Sequence, residues 1–415
     1  MSGRALIIGC GVAGPAVALF LRRAGWEPVI YEAVAQPEEY HGLFLNLATN
    51  GLEVLASLGL RDRLLAGAHR CPHMVMWSGR GKRLGRVPNG PAGQPERGSV
   101  VVRRVELHRA LREEALRQDI PIEFGARLDG VADAERGVQA RFADGRRAEG
   151  DLLVGADGIN SPTRGVIDPG APRPAYTGLV GLGGYARAEG LQATPDTQHF
   201  VFGRRSFFGY LVREDGEAWW FANVTRPEPA RGGARAITGE QWLELLRELH
   251  AEDPAPVPQI LAGNRSELRA HPVYDLLHVP RWSRGRIVAV GDAVHGTSPS
   301  VGQGASLALE DAIVLAKCLR DLPGHHDAFT AYQRLRQPRA ERMVAYAQQI
   351  NKHKRISTSP LAVRMRDAVV PLFLRKAASD TTNRWIYDYR IDWTTWTNPP
   401  GPPHRSRQAT DRRTP

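Results

Sequence analysis

The residues whose types and spacing point to chemistry lie at two distant places. Near the start is Gly9-Cys10-Gly11-Val12-Ala13-Gly14; far downstream are Gly291-Asp292-Ala293-Val294-His295 and Pro299-Ser300-Val301-Gly302-Gln303-Gly304-Ala305. The first segment has G-x-G-x-x-G spacing. In such a turn Gly9 permits a tight bend, Gly11 lets the backbone approach a pyrophosphate, and Gly14 lets the following helix pack closely on its strand. Val12 and Ala13 would then offer backbone N–H groups, at the positive end of a helix dipole, to phosphate charge. Glu32 follows about 20 residues on, where a carboxylate accepts both hydroxyls of a ribose and its charge repels a 2′-phosphate. The chemistry implied is dinucleotide binding, with NADP disfavoured as the resident group.

These residues need a frame. Ala5-Leu6-Ile7-Ile8 is a short apolar run of buried-strand type, Ala16 to Ala24 predicts a helix stopping near Gly25, and Pro28 to Glu32 supplies the next strand. This is a β-α-β unit. Asn50 to Leu60 reads as a helix. Val100 to Arg117 reads as a strand returning to the first domain and running into a helix, with Leu107, Ala110, Leu111 and Ala115 on one face. Asp144-Gly145 marks a hairpin turn. Arg286 to Val290 reads as a buried strand, leading to a helix over Ser306 to Leu319.

Between these stretches the pattern changes. Cys71 to Pro95 breaks into short strand-like pieces, and Gln198 to Gly203, Ser206 to Arg213 and Glu217 to Thr225 are aromatic-rich strands, the last two turning at Asp215-Gly216. An amphipathic helix is expected around Gln241 to His250, then helices over Ala328 to Lys352 and Leu361 to Ala378. The expected fold is α/β: a Rossmann-like dinucleotide-binding domain, discontinuous in sequence, with an inserted antiparallel-sheet substrate domain and C-terminal helices. The first takes residues 1–70, 98–174 and 278–325, the second 71–97 and 175–277. Residues 326–397 form the C-terminal helical segment, and 398–415 a disordered basic tail.

Composition bounds the function. Lys+Arg exceed Asp+Glu by 55 − 44 = 11, but the only lysines are Lys82, Lys317, Lys352, Lys354 and Lys376, and the arginines are scattered. That favours a solvated basic surface over nucleic-acid binding. Cys10, Cys71 and Cys318 are too few and dispersed for a disulfide framework or a zinc site. No apolar run approaches the length of a membrane span and no leader is evident, so no stable membrane insertion and a cytoplasmic location are expected.

Further motifs give a family resemblance. Arg104-Val105-Glu106-Leu107 with Leu111 resembles the R-x-x-L-x-x-x-L element of class A flavoprotein monooxygenases, the para-hydroxybenzoate hydroxylase family. Asp151 to Gly158, with Ser161 and Arg164, resembles its Asp-Gly motif, and Gly291-Asp292 its Gly-Asp motif. The resemblance implies that FAD is tightly and non-covalently bound. Arg104 would reach its ribose and pyrophosphate, Asp157 would serve FAD and NAD(P)H binding, and Asp292 would hold the ribityl side. Pro299, Gly302, Gly304 and Ala305 would bring a helix N-terminus against the flavin pyrimidine, where it stabilises the negative charge of reduced flavin. It further implies that NAD(P)H visits transiently, that O₂ adds to reduced flavin as a C4a-hydroperoxide, and that one oxygen passes to an electron-rich substrate by hydroxylation or epoxidation. Where the family has a small residue near the flavin ring, this chain has His41-Gly42-Leu43-Phe44. Leu43 is a candidate ring contact. His41 reads as an ordinary loop histidine rather than a covalent attachment point, and His295 as a structural hydrogen-bonding residue.

No protein nucleophile, metal site or second dinucleotide-binding unit has supporting spacing. A hydrophobic, aromatic small molecule is the expected substrate, walled by Phe207, Phe208, Tyr210, Trp219, Trp220 and Phe221, with Phe208, Tyr210 and Trp220 as pocket candidates. Two competing readings stay open: a flavin-dependent reductase of a prenyl-type substrate, and a non-redox binding protein on the same fold.

Overall fold

The computed structural model describes residues 3–36, 43–134, 137–229, 237–354, 365, 368–372, 374 and 384–397. In chain order it runs β1 (Arg4–Ile8), α1 (Ala13–Arg23), β2 (Glu27–Tyr31), β3 (Phe44–Leu47), α2 (Thr49–Ser57), α3 (Arg61–Leu65), β4 (His69–Arg70), β5 (His73–Ser78), β6 (Arg83–Pro88), β7 (Val100–Arg103) and α4 (Arg104–Arg117). Then come β8 (Ile122–Glu123), β9 (Leu128–Ala134), β10 (Gly137–Phe142), β11 (Arg147–Gly150), β12 (Leu152–Gly155), α5 (Pro162–Ile167), β13 (Ala175–Ala186), β14 (Thr197–Phe202), β15 (Phe207–Val212) and β16 (Ala218–Thr225). The rest is α6 (Gly239–Leu249), α7 (Val257–Ala262), β17 (His271–Asp275), β18 (Ser283–Arg284), β19 (Ile287–Ala289), α8 (Asp292–His295), α9 (Gly304–Asp321) and α10 (His325–Lys354).

A six-stranded sheet in the order β18-β19-β12-β1-β2-β8 forms the first body, parallel except for the β18 edge. Its central strands β1, β12 and β19 are nearly continuous apolar runs because both faces are covered; Ala5, Leu6, Ile7, Leu152, Leu153, Val154 and Val288 have no exposed surface. Helix α1 lies against this sheet and against α9, its run Ala16 to Leu21 wholly buried. The chain leaves β1 toward β2 on one side, and β12 later lies on the other. That is a strand-order switch, where open α/β sheets bind ligands outside their carboxyl ends.

The second body is a seven-stranded sheet, β17-β13-β16-β15-β14-β5-β6, antiparallel but for the β5/β14 pair. It joins the pieces from 71–97 to those from 175–277. One face is closed by α6 and α7, burying Trp242, Leu246, Val257, Ile260 and Leu261 against it. Helix α6 starts with a reciprocal cap in which Thr238 Oγ1 accepts from Gln241 N and Gln241 Oε1 accepts from Thr238 N, at a site where caps contribute about 1 kcal/mol. The other face turns toward the first body.

Two small sheets complete the fold. The expected hairpin at Asp144-Gly145 joins β10 to β11 in the ribbon β11-β10-β9. Strand β7 is absent from the parallel sheet that its apolar sequence suggests; it pairs with β3 and β4 in a separate ribbon between the two bodies. Burial of Val100, Val101 and Val102 predicts a buried strand but not which sheet supplies its partners. Most of the helix expected over 361–378, His41 and the tail 398–415 lie outside the described residues. No described helix is long and apolar enough to cross a membrane, and no cluster among the described residues could hold a metal ion.

Candidate functional site

The motif residues converge because β1, β12 and β19 are adjacent and parallel. Ile8 pairs with Gly155 and Gly155 with Ala289, so Gly9, Asp157 and Gly291-Asp292 all leave the same edge of the sheet. Glu32 leaves β2 beside them.

At the first turn the glycines divide the work as their spacing suggests. Gly9 has φ +107°, and a Cβ there would lie 2.4 Å from Ala156 O. A Cβ on Gly14 would lie 1.9 Å from Gly9 O, closer than any side chain permits. A Cβ on Gly11 would meet nothing within 4 Å, which leaves the backbone approachable from outside. Helix α1 follows from Val12 and Ala13 with no side-chain cap, so its first N–H groups are free for an anion. Glu32 accepts from Cys10 N at 2.6 Å and from Val34 N at 3.0 Å, tying the turn to the end of β2. A carboxylate has lone pairs left for ribose hydroxyls beyond these two. Burial, then the Glu32 charge, pushes the Cys10 thiol up to about 12, so it is no thiolate nucleophile.

Across the cleft, Arg104 opens α4 with an exposed side chain, its backbone N–H held by Leu43 O at 3.1 Å. Burial, then the charges of Arg104 and Arg112, drives neighbouring His108 down to about 4. Asp292 keeps solvent-exposed surface although protein surrounds it closely. That surrounding mass raises its carboxyl above the usual range, against the lowering pull of His295 and Arg104. Asp157 accepts from Thr163 N through Oδ2 at 2.9 Å, while its buried Oδ1 has no partner among the described residues. Arg164 reaches across to Ala293 O at 2.9 Å and ties this motif to the next.

The downstream segment makes a tight turn over Pro299–Val301, passes Gly302 in the left-handed region and enters α9 at Gly304 and Ala305. The start of α9 again lacks a side-chain cap. Beneath it lies a buried polar network that the sequence reading did not include. Asp311 accepts from Gly291 N at 2.8 Å, His295 Nε2 at 2.5 Å and Arg336 Nε at 2.8 Å. Glu310 pairs with Arg336 and Arg339 and accepts from Asn50, which also bonds Gln303. His295 thus has the structural role expected of it. Burial alone would lower its pKa, but the Asp311 carboxylate raises it; the same contacts, with Arg336, hold Asp311 at about 2 despite burial.

The substrate-pocket candidates require a correction. Phe208, Tyr210 and Trp220 lie on the sheet face covered by α6 and α7: Phe208 stacks on Trp220 at 5.5 Å and meets His250 edge-on, and Tyr210 stacks on His199. They are core. The opposite residues of the same strands face the first body. Phe44 lies 5.6 Å from Trp219 and 6.3 Å from Phe221, Leu43 abuts Gly183, and Phe200, Phe207 and Phe221 form an aromatic cluster. The available signal was the row of glycines on that face, Gly181, Gly183 and Gly209, since absent side chains leave room for a ligand or a neighbouring ring.

FAD fits this arrangement: an approachable turn at Gly11, two uncapped helix starts, an unpartnered Asp157 Oδ1 and an accessible Asp292 at one sheet edge. Residues 3–347 match the family model described as FAD binding domain. Aurachin C monooxygenase/isomerase of Stigmatella aurantiaca is 31% identical over 84% of this chain and 88% of its own length. A 3-amino-4-hydroxybenzoate 2-monooxygenase of Streptomyces cremeus is 30% identical over 86% and 89%. Among solved structures, Klebsiella pneumoniae HpxO complexed with FAD and uric acid has the same fold, with a TM-score of 0.79 at 24% identity over 92% of this chain and 94% of that one. The chain therefore belongs to the FAD-binding family of class A flavoprotein monooxygenases, the para-hydroxybenzoate hydroxylase-like oxidoreductases.

Proposed function

We propose that this monooxygenase uses NADH or NADPH and O₂ to hydroxylate a small aromatic or heteroaromatic molecule. One oxygen atom enters the ring, the other leaves as water, and the nicotinamide supplies the balancing hydride. The observation that carries this reading is the aromatic face of Phe200, Phe207 and Phe221, set across from Leu43 and Phe44 beside the cofactor motifs. The relatives' names support it, for they include a 6-hydroxynicotinate 3-monooxygenase and an FAD-dependent urate hydroxylase.

Bound FAD would supply electron transfer and oxygen activation. The protein's part is to hold and shield it. Gly11, Val12 and Ala13 would receive the pyrophosphate, Glu32 the adenosine ribose, Arg104 the phosphate charge, and Asp157 and Asp292 the hydroxyls along the chain to the ring. The free start of α9, from Gly302 to Ala305, offers fixed positive dipoles to an anionic flavin without reorganisation. The aromatic face excludes water from the reacting atoms.

Anaerobic addition of NADH or NADPH to the purified protein, followed by air, tests the reading. Flavin absorbance should bleach and return, and an aromatic substrate should accelerate the bleaching. Product formed without O₂ would favour the reductase instead; a folded protein that takes up no FAD would defeat both.

A further inference from the structure

Lys354 closes α10, where a lysine ordinarily reaches into water, yet its side chain is buried. Its ammonium donates to Asn223 Oδ1 at 3.3 Å and otherwise lies over aromatic rings, 4.4 Å from the centre of Phe207 and 5.6 Å from that of Phe221. Lys317, also buried, instead donates to Asp392 O, Thr395 O and Thr395 Oγ1. No carboxylate among the described residues pairs with Lys354, and burial alone draws its pKa down to about 7. An ammonium carries three donors, and this one has a single acceptor among the described residues.

Its surroundings fix where those donors point. One turn earlier, Asn351 donates to Ser298 Oγ at 2.8 Å and Asp275 Oδ2 at 3.3 Å and accepts from Ser300 Oγ at 2.5 Å. The end of α10 is thereby tied to the loop that leads into Gly302 and α9. Asn223 is itself buried, its Nδ2 donating to Ala222 O at 3.2 Å. Lys354 thus stands between the flavin-side loop and the aromatic face proposed to receive substrate.

We propose that Lys354 anchors an anionic oxygen of the substrate, a carboxylate or an ionised ring hydroxyl, while Phe207 and Phe221 pack against the ring. This rests on the oxygenase reading and names the substrate class of that chamber: aromatic acids and acidic phenols or heterocyclic enols. A buried, incompletely partnered cation costs stability in the free protein, and the arriving anion supplies the missing partner.

Matched ligand pairs test it on the FAD-loaded protein: para-hydroxybenzoate against para-hydroxybenzamide, and para-nitrophenolate against para-nitroanisole, titrated by calorimetry. The anion of at least one pair should bind roughly tenfold tighter, about 1.4 kcal/mol. A preference in the first pair alone identifies a carboxylate, and in the second a ring hydroxyl. Lys354→Met should bring the pair within about twofold while raising or preserving the melting temperature, and Lys354→Arg should keep the preference. Lys354→Gln, read beside Lys354→Met, keeps the comparison available if either fails to fold. Equal binding within both pairs, failure of both anions to bind, or a preference that survives loss of the charge overturns the proposal. Flavin absorbance of the same samples separates the causes: flavin-free protein fails the oxygenase reading, whereas flavin-loaded protein lacking the preference fails only the anchor.

Discussion

Asp292 and Glu32 show how differently two carboxylates in one cleft are placed. Burial by the surrounding protein raises the Asp292 carboxyl, and its side chain makes no hydrogen bond among the described residues that would compete for a ligand, so its interaction with FAD should be large. Asp292→Ala should weaken FAD retention by at least roughly tenfold with unchanged far-ultraviolet circular dichroism; ordinary flavin content in the folded variant would contradict that role. Glu32 already holds Cys10 N and Val34 N. Glu32→Ala should cost about 1–3 kcal/mol of FAD affinity, through both the ribose and the loosened turn, and unchanged affinity would remove the ribose contact from the account. Glu32 was legible in sequence from its place about 20 residues beyond a Gly-rich turn, whereas Asp292 stood out only through the resemblance to a family motif. Lys354 was not legible, since a lysine at the end of a helix reads as solvent-facing and only the tertiary fold brings Asn223, Phe207 and Phe221 around it.

At the scale of elements, strand face decides function. All residues of β15 are buried, so burial alternation gives no sign of which face meets the cofactor. The sequence identified the aromatic strands, but the face chosen from it, that of Phe208, Tyr210 and Trp220, is the one under α6 and α7, whereas Phe207 and Phe221 lie on the opposite face. The difference is measurable. Phe208→Ala, in the core under α6, should destabilise the protein by about 3–5 kcal/mol in urea unfolding. Phe221→Ala should instead raise the dissociation constant of an aromatic ligand roughly tenfold with a smaller loss of stability, because its ring is only partly buried. A reversed pattern would return the substrate to the α6 side. The placement of β7 teaches the same lesson, since three consecutive buried valines specify a strand but leave its partners to the rest of the fold.

Across the whole molecule, the network around Asp311 joins the two ends of the flavin motif to α10. Residues separated widely in sequence meet there, and an Asp or Arg on a long helix reads as ordinary surface charge, so the sequence offered no sign of it. Its pH dependence has two edges. Asp311 is depressed, so its contribution is present above the unfolded value near 3.8 and is lost as pH falls through about 2. His295 is raised, so its contribution is full below 6.5 and declines as pH rises through its higher folded value. Stability from the pair should therefore be greatest between about pH 4 and 6.5, and Asp311→Asn should flatten that dependence in urea melts taken across pH. Arg336→Met, which removes a cationic partner from each of two buried carboxylates and leaves them Arg339 and His295, should cost about 3 kcal/mol and loosen FAD as well, since Asp311 also holds Gly291 N.

In the proposed reaction the two bodies cooperate to insert oxygen from O₂ into an aromatic ring. Turnover of the preferred aromatic acid with NADH or NADPH under ¹⁸O₂, with the product analysed by mass spectrometry, tests it most directly. One heavy oxygen atom is expected in the product; flavin-dependent NAD(P)H oxidation that yields product without the label, or product formed equally well without O₂, would rule the oxygenase reaction out.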